Sequence, residues 1–132
     1  MAMQTKYVDT AAKTGDGAGL IDEAQVLSAA ACLFRGLGDP SRLAILRHLA
    51  LGEHRVVDLM THLGLAQSTV STHLACLRGC GLVSSRPQGR ASMFSLTQPE
   101  LVREVLAAAE GLLAATGDAV TLCPTTGRDS VP

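Results

Sequence analysis

DLMTHLGLAQSTVSTHLACLRGCGL, residues 58–82, holds two helical apolar patterns separated by a glycine. Ahead of Gly64, the residues Val56, Leu59, Met60 and Leu63 recur at helical spacing and predict a short helix over 56–63, which Gly64 ends by supplying a left-handed residue. Behind it, Val70, Leu74 and Leu77 share one face of a second helix, from Gln67 to about Cys80, closed by Gly79 and Gly81. Two helices joined by a three-residue, glycine-containing turn make a helix-turn-helix.

The flanks complete the fold. Upstream, Val26, Ala30, Leu33 and Leu37 form the stripe of an amphipathic helix ending at Gly36 or Gly38. Asp39-Pro40 is an N-cap followed by a first-turn proline, and Leu43, Leu46 and Leu49 continue a helix expected to stop near Gly52. Downstream, LVSSR (82–86), a turn at Pro87-Gln88-Gly89 and RASMFSL (90–96) read as a hairpin, which directly after a recognition-type helix is a wing. Pro99 opens a last helix through about Ala115, and Leu101, Val102, Val105, Leu106, Ala109, Leu112 and Leu113 make its stripe broader than a lone surface helix needs. A second subunit would bury the surplus. The expected class is mainly α with a small β-hairpin, a winged helix-turn-helix over 20–115. A polar, Gly-rich arm expected to be disordered precedes it over 1–19, and a tail carrying Cys123 follows over 116–132.

Composition agrees with helices. Of 132 residues 47% are hydrophobic and 17% charged, with no Trp, one Tyr and two Phe, so Leu, Val, Ala and Met must build the core of a single domain. The net charge of -1 excludes a uniformly basic coat, but residues 1–34, 35–90 and 91–132 carry -2, +4 and -3, and the middle block holds all four histidines. That modest positive face keeps nucleic acid as a partner. No apolar run approaches the roughly 18 residues of a membrane span, and the N-terminus lacks a signal peptide's apolar stretch, so a cytoplasmic protein with reduced thiols and no membrane partner is expected. There is no phosphate loop and no oriented Cys/His nucleophile, so no enzyme is expected.

A recognition helix needs short polar side chains near its N-terminal end, because that end enters the major groove. Gln67, Ser68, Thr69, Ser71, Thr72 and His73 supply them, and Arg86 and Arg90 on the wing would lie near the sugar-phosphate backbone. The run LGDPSRLAIL, then DLMTHLGLAQSTVSTHLACLRGCGLVSSRPQGRASMFSL, resembles the winged helix-turn-helix of the ArsR/SmtB family of metal-responsive bacterial repressors over about residues 26–115. The resemblance implies a homodimer packed through its first and last helices, bound to two-fold symmetric operator DNA and released by metal. Ala66 departs from the family, which often places there a Ser able to cap the recognition helix.

Cys76 and Cys80 are one helical turn apart, so both thiols project from one face and can bite one metal. Soft thiolates favour Cd(II), Pb(II), Zn(II) or Cu(I) over Mg, Ca or Mn. Cys123 is the natural third ligand, brought by a flexible tail. His73 would be a fourth that tilts the site to Zn(II), although DNA contact or packing suits it better. Cys32 lies alone on an apolar stripe and is expected to be a core residue, while His48, His54 and His62 have no ligand spacing and are expected on the surface. The family's Cys-x-Cys before the third helix is missing at residues 53–58, and the last helix has no His. What remains is similar to the CmtR-like cadmium/lead-sensing subgroup, and that resemblance implies Cys76 and Cys80 from one protomer and Cys123 from the other. A thiol redox or persulfide switch and a zinc-stabilised DNA-binding module are the alternatives on the same fold.

Overall fold

A computed structural model describes residues 22–117 and 120–122; the arm expected over 1–19, most of the tail and Cys123 lie outside the described residues. The chain divides into two units, Met1–Arg35 and Gly36–Pro132. Helix α1 (Glu23–Leu37), whose last two residues belong to the second unit, starts where Asp22 Oδ1 accepts from the Gln25 N–H at 2.8 Å. Glu23 then occupies its first turn, where the helix dipole favours negative charge. Leu27 and Phe34, two turns apart on it, are exposed.

The second unit is built on the caps the sequence announces. Helix α2 (Pro40–Leu49) begins with Asp39 extended, its Oδ2 accepting from the Arg42 N–H at 3.1 Å. That backbone hydrogen bond holds the Asp39 carboxyl below its ordinary value of 3.8. A depressed carboxyl contributes stability that is complete above the ordinary value and lost as pH falls through the folded chain's lower one. Asp39→Asn, which caps without titrating, is therefore expected to leave stability at neutral pH nearly unchanged and to flatten the acid limb. Denaturation followed by circular dichroism from neutral to strongly acid pH checks this, and an acid limb as steep as the parent's would remove the cap from the account.

Helix α2 stops three residues before Gly52, and the turn that follows places His54–Arg55 in a short strand, β1, where no strand was expected. Two residues carry no periodicity. Helix α3 (Val56–Leu63) ends at Gly64, φ 68°, as expected, and the Asp58 carboxylate accepts from the Arg55 N–H at 2.9 Å. Helix α4 (Gln67–Gly79) buries Val70, Leu74 and Leu77. Its C-terminus closes with Gly81 at φ 79°, the Gly81 N–H reaching Arg78 O and the Leu82 N–H reaching Leu77 O, both at 3.0 Å.

Strands β2 (Val83–Gln88) and β3 (Ala91–Leu96) form the hairpin, and β1 pairs with the other edge of β3, giving a three-stranded antiparallel sheet of order β1-β3-β2. The expected turn at Pro87-Gln88-Gly89 is corrected: Gln88 pairs with Ala91, so Gly89 and Arg90 make the turn and Pro87 stands in the strand. Strand β2 is an edge, where a proline need not interrupt a ladder, and Gly89 at φ 63° supplies the left-handed residue. Helix α5 (Pro99–Ala115) lays Val102 and Leu106 into the same core as Ile45, Leu46, Leu59 and Leu74, and Arg103 Nη2 donates to the Ala50 carbonyl at the end of α2, 2.6 Å away. Further on, Leu122 packs against this core and its N–H donates to Glu110 Oε2. No helix among the described residues is long and apolar enough to cross a membrane.

Candidate nucleic-acid interface and metal centre

With Val70, Leu74 and Leu77 buried, the pitch of α4 turns Gln67, Ser68, Thr69, Ser71 and Thr72 to solvent. These are the short polar side chains expected to face a groove. The helix N-terminus itself has Ala66 at the cap, with no side-chain hydrogen bond, which forgoes about 1 kcal/mol relative to a capping residue. Gln67 and Arg90 line one groove with Arg55 and Phe94, so the start of α4 and the tip of the wing border a common surface.

Two residues of the expected set behave differently. His73 is only 17% exposed at its side chain; its Nδ1 lies 3.4 Å from Arg42 Nη1 and its Nε2 3.8 Å from Asp39 Oδ2. It braces α4 against the cap of α2 rather than standing with the exposed polar row or beside the thiols. Arg86 is exposed but donates from Nε and Nη2, one edge of its guanidinium, to both Glu53 carboxylate oxygens at 3.0 and 2.8 Å. The Arg86 hydrogen bonds push the Glu53 carboxyl below its ordinary range. Arg78 likewise reaches the wing, donating to Ser85 Oγ at 3.0 Å and lying over the Phe94 ring.

Cys76 and Cys80 occupy the last turn of α4 and its cap, both half-buried, and the Cys80 N–H closes that turn on Cys76 O at 3.1 Å. Among the described residues no cysteine is in a disulfide. Buried Gly36 lies against Cys80: a Cβ added to it would stand 3.3 Å from Cys80 Sγ. Two thiols at i and i+4 on α4 have the spacing that can bite a soft cation. Cys32 is half-buried in the first unit, short of the core position expected for it.

The surface position expected for His48, His54 and His62 holds for His62, which is exposed, whereas His48 and His54 are half-buried, and the fold brings the three together although they share no ligand spacing. Their ring centroids lie 5.1 to 5.9 Å apart. Burial, followed by the neighbouring His62, His54 and Arg47, lowers the pKa of His48. Spacing in the chain could not reveal them, because β1 and the turn before it bring His54 between two helices.

The arsR-family model of bacterial regulatory proteins matches residues 39–85, from the cap of α2 into the wing. The regulator CmtR of Mycobacterium tuberculosis is 47% identical over 76 residues, covering 58% of this chain, which spans 64% of that relative's length. A probable mercury resistance operon repressor of Streptomyces lividans is 39% identical over 75 residues, 57% of this chain and 60% of its own. A 1–100 fragment from Mycobacterium bovis, described as a homodimeric winged helix-turn-helix DNA-binding domain, superposes in its solution form with a TM-score of 0.61 at 29% identity, covering 72% of this chain and 86% of its own. Its crystal form gives 0.61 at 30%, covering 71% and 99%.

Proposed function

The chain belongs to the arsR family of bacterial regulatory proteins, and from that premise we propose that it is a homodimeric repressor of operator DNA, released when Cys76, Cys80 and Cys123 bind Cd(II) or Pb(II). The observation that carries this reading is the position of Cys76 and Cys80 on α4, the same helix that turns Gln67, Ser68, Thr69, Ser71 and Thr72 outward. A helix that both reads bases and holds ligands couples the two events without an intermediary. The mercury-linked name of the Streptomyces relative agrees with a soft, thiophilic effector.

Ser68, Thr69, Ser71 and Thr72 would contact bases or phosphates, Gln67 would pair with an adenine edge, and Arg90 at the wing tip would meet the backbone. Arg86 joins them only by loosening its grip on Glu53, and His73 holds α4 in register through Asp39 and Arg42. The cation, when bound, supplies short bonds of fixed length between thiolates. Cys123 directly follows Leu122, whose N–H is held by Glu110 of α5. With Cys76 and Cys80 on α4, Cys123 would hold such a cation through a segment tied to α5, so the ligand set would link the recognition helix to the last helix. Charge assists little: three thiols becoming three thiolates around a divalent ion changes each site by only one negative charge.

The deciding measurement is fluorescence anisotropy of a labelled fragment of the gene's own promoter with fully reduced protein at fixed salt. Stoichiometric Cd(II) is expected to release the DNA and Mg(II) to leave it bound. Tight binding that ignores Cd(II) and Pb(II) but yields to an oxidant would replace the metal switch with a thiol redox switch. Binding that ignores all of them, with a melting temperature raised by Zn(II), would leave a zinc-stabilised DNA-binding module.

A further inference from the structure

His48 lies in the last turn of α2, His54 in β1 and His62 in the last turn of α3, yet one nitrogen of each falls within 4.8 Å of one nitrogen of both others. The His48 and His62 rings stack with planes 13° apart, and His54 meets both edge-on. The Nδ1 of His54 lies 2.8 Å from the Gly52 carbonyl, which can only accept, so Nδ1 is the donor there and Nε2 is the ring atom left for a ligand. A ring nitrogen bonded outward to a carbonyl is the support that orients a ligating histidine.

We infer that His48, His54 and His62 form a second cation site, made of three imidazoles and suited to a borderline divalent ion of the zinc, cobalt and nickel class. Imidazole nitrogens suit these ions where thiolates suit softer ones, and three of them leave a fourth position for water. A tetrahedral ion with bonds of about 2.0–2.1 Å holds its nitrogens about 3.4 Å apart. One nitrogen of each ring already lies within 4.8 Å of the others, so rotation of the exposed His62 and of His48 toward a His54 held by Gly52 is the adjustment that brings them onto such an ion. Burial already disfavours protonation of His48. An ion there would clamp α2, β1 and α3 together, and with them the scaffold from which the Gly64 turn launches α4. The site shares no ligand with the thiolate centre and does not rest on it.

Untagged full-length chain with all four cysteines replaced by serine removes the thiolates from the test. Co(II) is expected to bind once per chain with visible bands of nitrogen and oxygen coordination and no sulfur charge-transfer band, and Zn(II) to displace it. His62→Gln and His54→Gln, each checked by circular dichroism, are each expected to weaken Co(II) at least about tenfold. In the parent chain, nitrogen-15 spectra of the four histidine rings in the presence of Zn(II) supply a control independent of folding in the serine variant: His48, His54 and His62 should shift while His73 stays. No saturable Co(II) binding in the cysteine-free chain together with unmoved His48, His54 and His62 rings in the parent overturns the site. So does affinity indifferent to His62→Gln.

Discussion

Val105→Glu combined with Leu112→Glu is expected to leave the chain folded but to dissociate the proposed dimer and weaken operator binding by at least about a hundredfold, the order of the advantage a linked second site confers. The apolar breadth of α5 resolves into two adjacent stripes. Val102 and Leu106 face the core, whereas Leu101, Val105 and Leu112 follow one another at helical spacing on an exposed face, Leu112 at 69% of its full area. Fully burying a side chain of this kind contributes about 1.5–3 kcal/mol, so water is a poor permanent neighbour for three of them. The homodimeric Mycobacterium bovis domain supplies a precedent for the partner. In a two-fold interface each substituted carboxylate would meet either apolar surface or its own copy, and both lose the interface. Because neither position is in the core, circular dichroism and melting should change little while sedimentation shifts to monomer and anisotropy shows the affinity loss. A dimer that survives both substitutions would move the interface away from α5.

Features set by nearest neighbours were legible in the chain. Asp39-Pro40 dictates the start of α2, Gly64 the end of α3, and the spacing of Val70, Leu74 and Leu77 the buried face of α4, all as observed. Contacts between segments far apart were not. The Arg86 to Glu53 pair spans 33 residues and depends on the wing folding back beside β1, so Arg86 looked like an unencumbered phosphate contact. His73 sat in a polar row on paper, but α4 rotates it toward Asp39, a partner 34 positions earlier that only the packing of α2 on α4 brings near. The three histidines had no shared period because they come from three elements, two of them joined through a strand too short to announce itself. The local preference of Pro87 is for a turn, whereas the edge position of β2 removes the objection to a strand proline.

Cys76→Ser and Cys80→Ser, singly, are expected to retain operator binding within a few-fold and to abolish the response to Cd(II). The loss is sized by the coupling free energy of an allosteric regulator, about 1–3 kcal/mol, or about 5- to 150-fold in operator affinity. Serine keeps the shape and hydrogen-bonding capacity of the thiol but binds soft cations poorly, so it separates ligation from packing. The two positions differ in a useful way. Cys80 caps α4 beneath Gly36, with Leu82 Cδ1 also close to that glycine, so a hydroxyl there tests whether the thiol serves chiefly to fill the space under α1's last turn. Cys76 has no such glycine above it and reports on ligation more directly. If both thiols were merely small core residues, each serine would lower the melting temperature and the DNA affinity together, and Cd(II) would still act on whatever bound protein remained. If they are ligands, stability and affinity stay near the parent's and only the cation's effect disappears. Cys123→Ser should then match Cys76→Ser in the anisotropy assay, and a Cys123 variant that still releases DNA on stoichiometric Cd(II) would reduce the centre to the pair on α4.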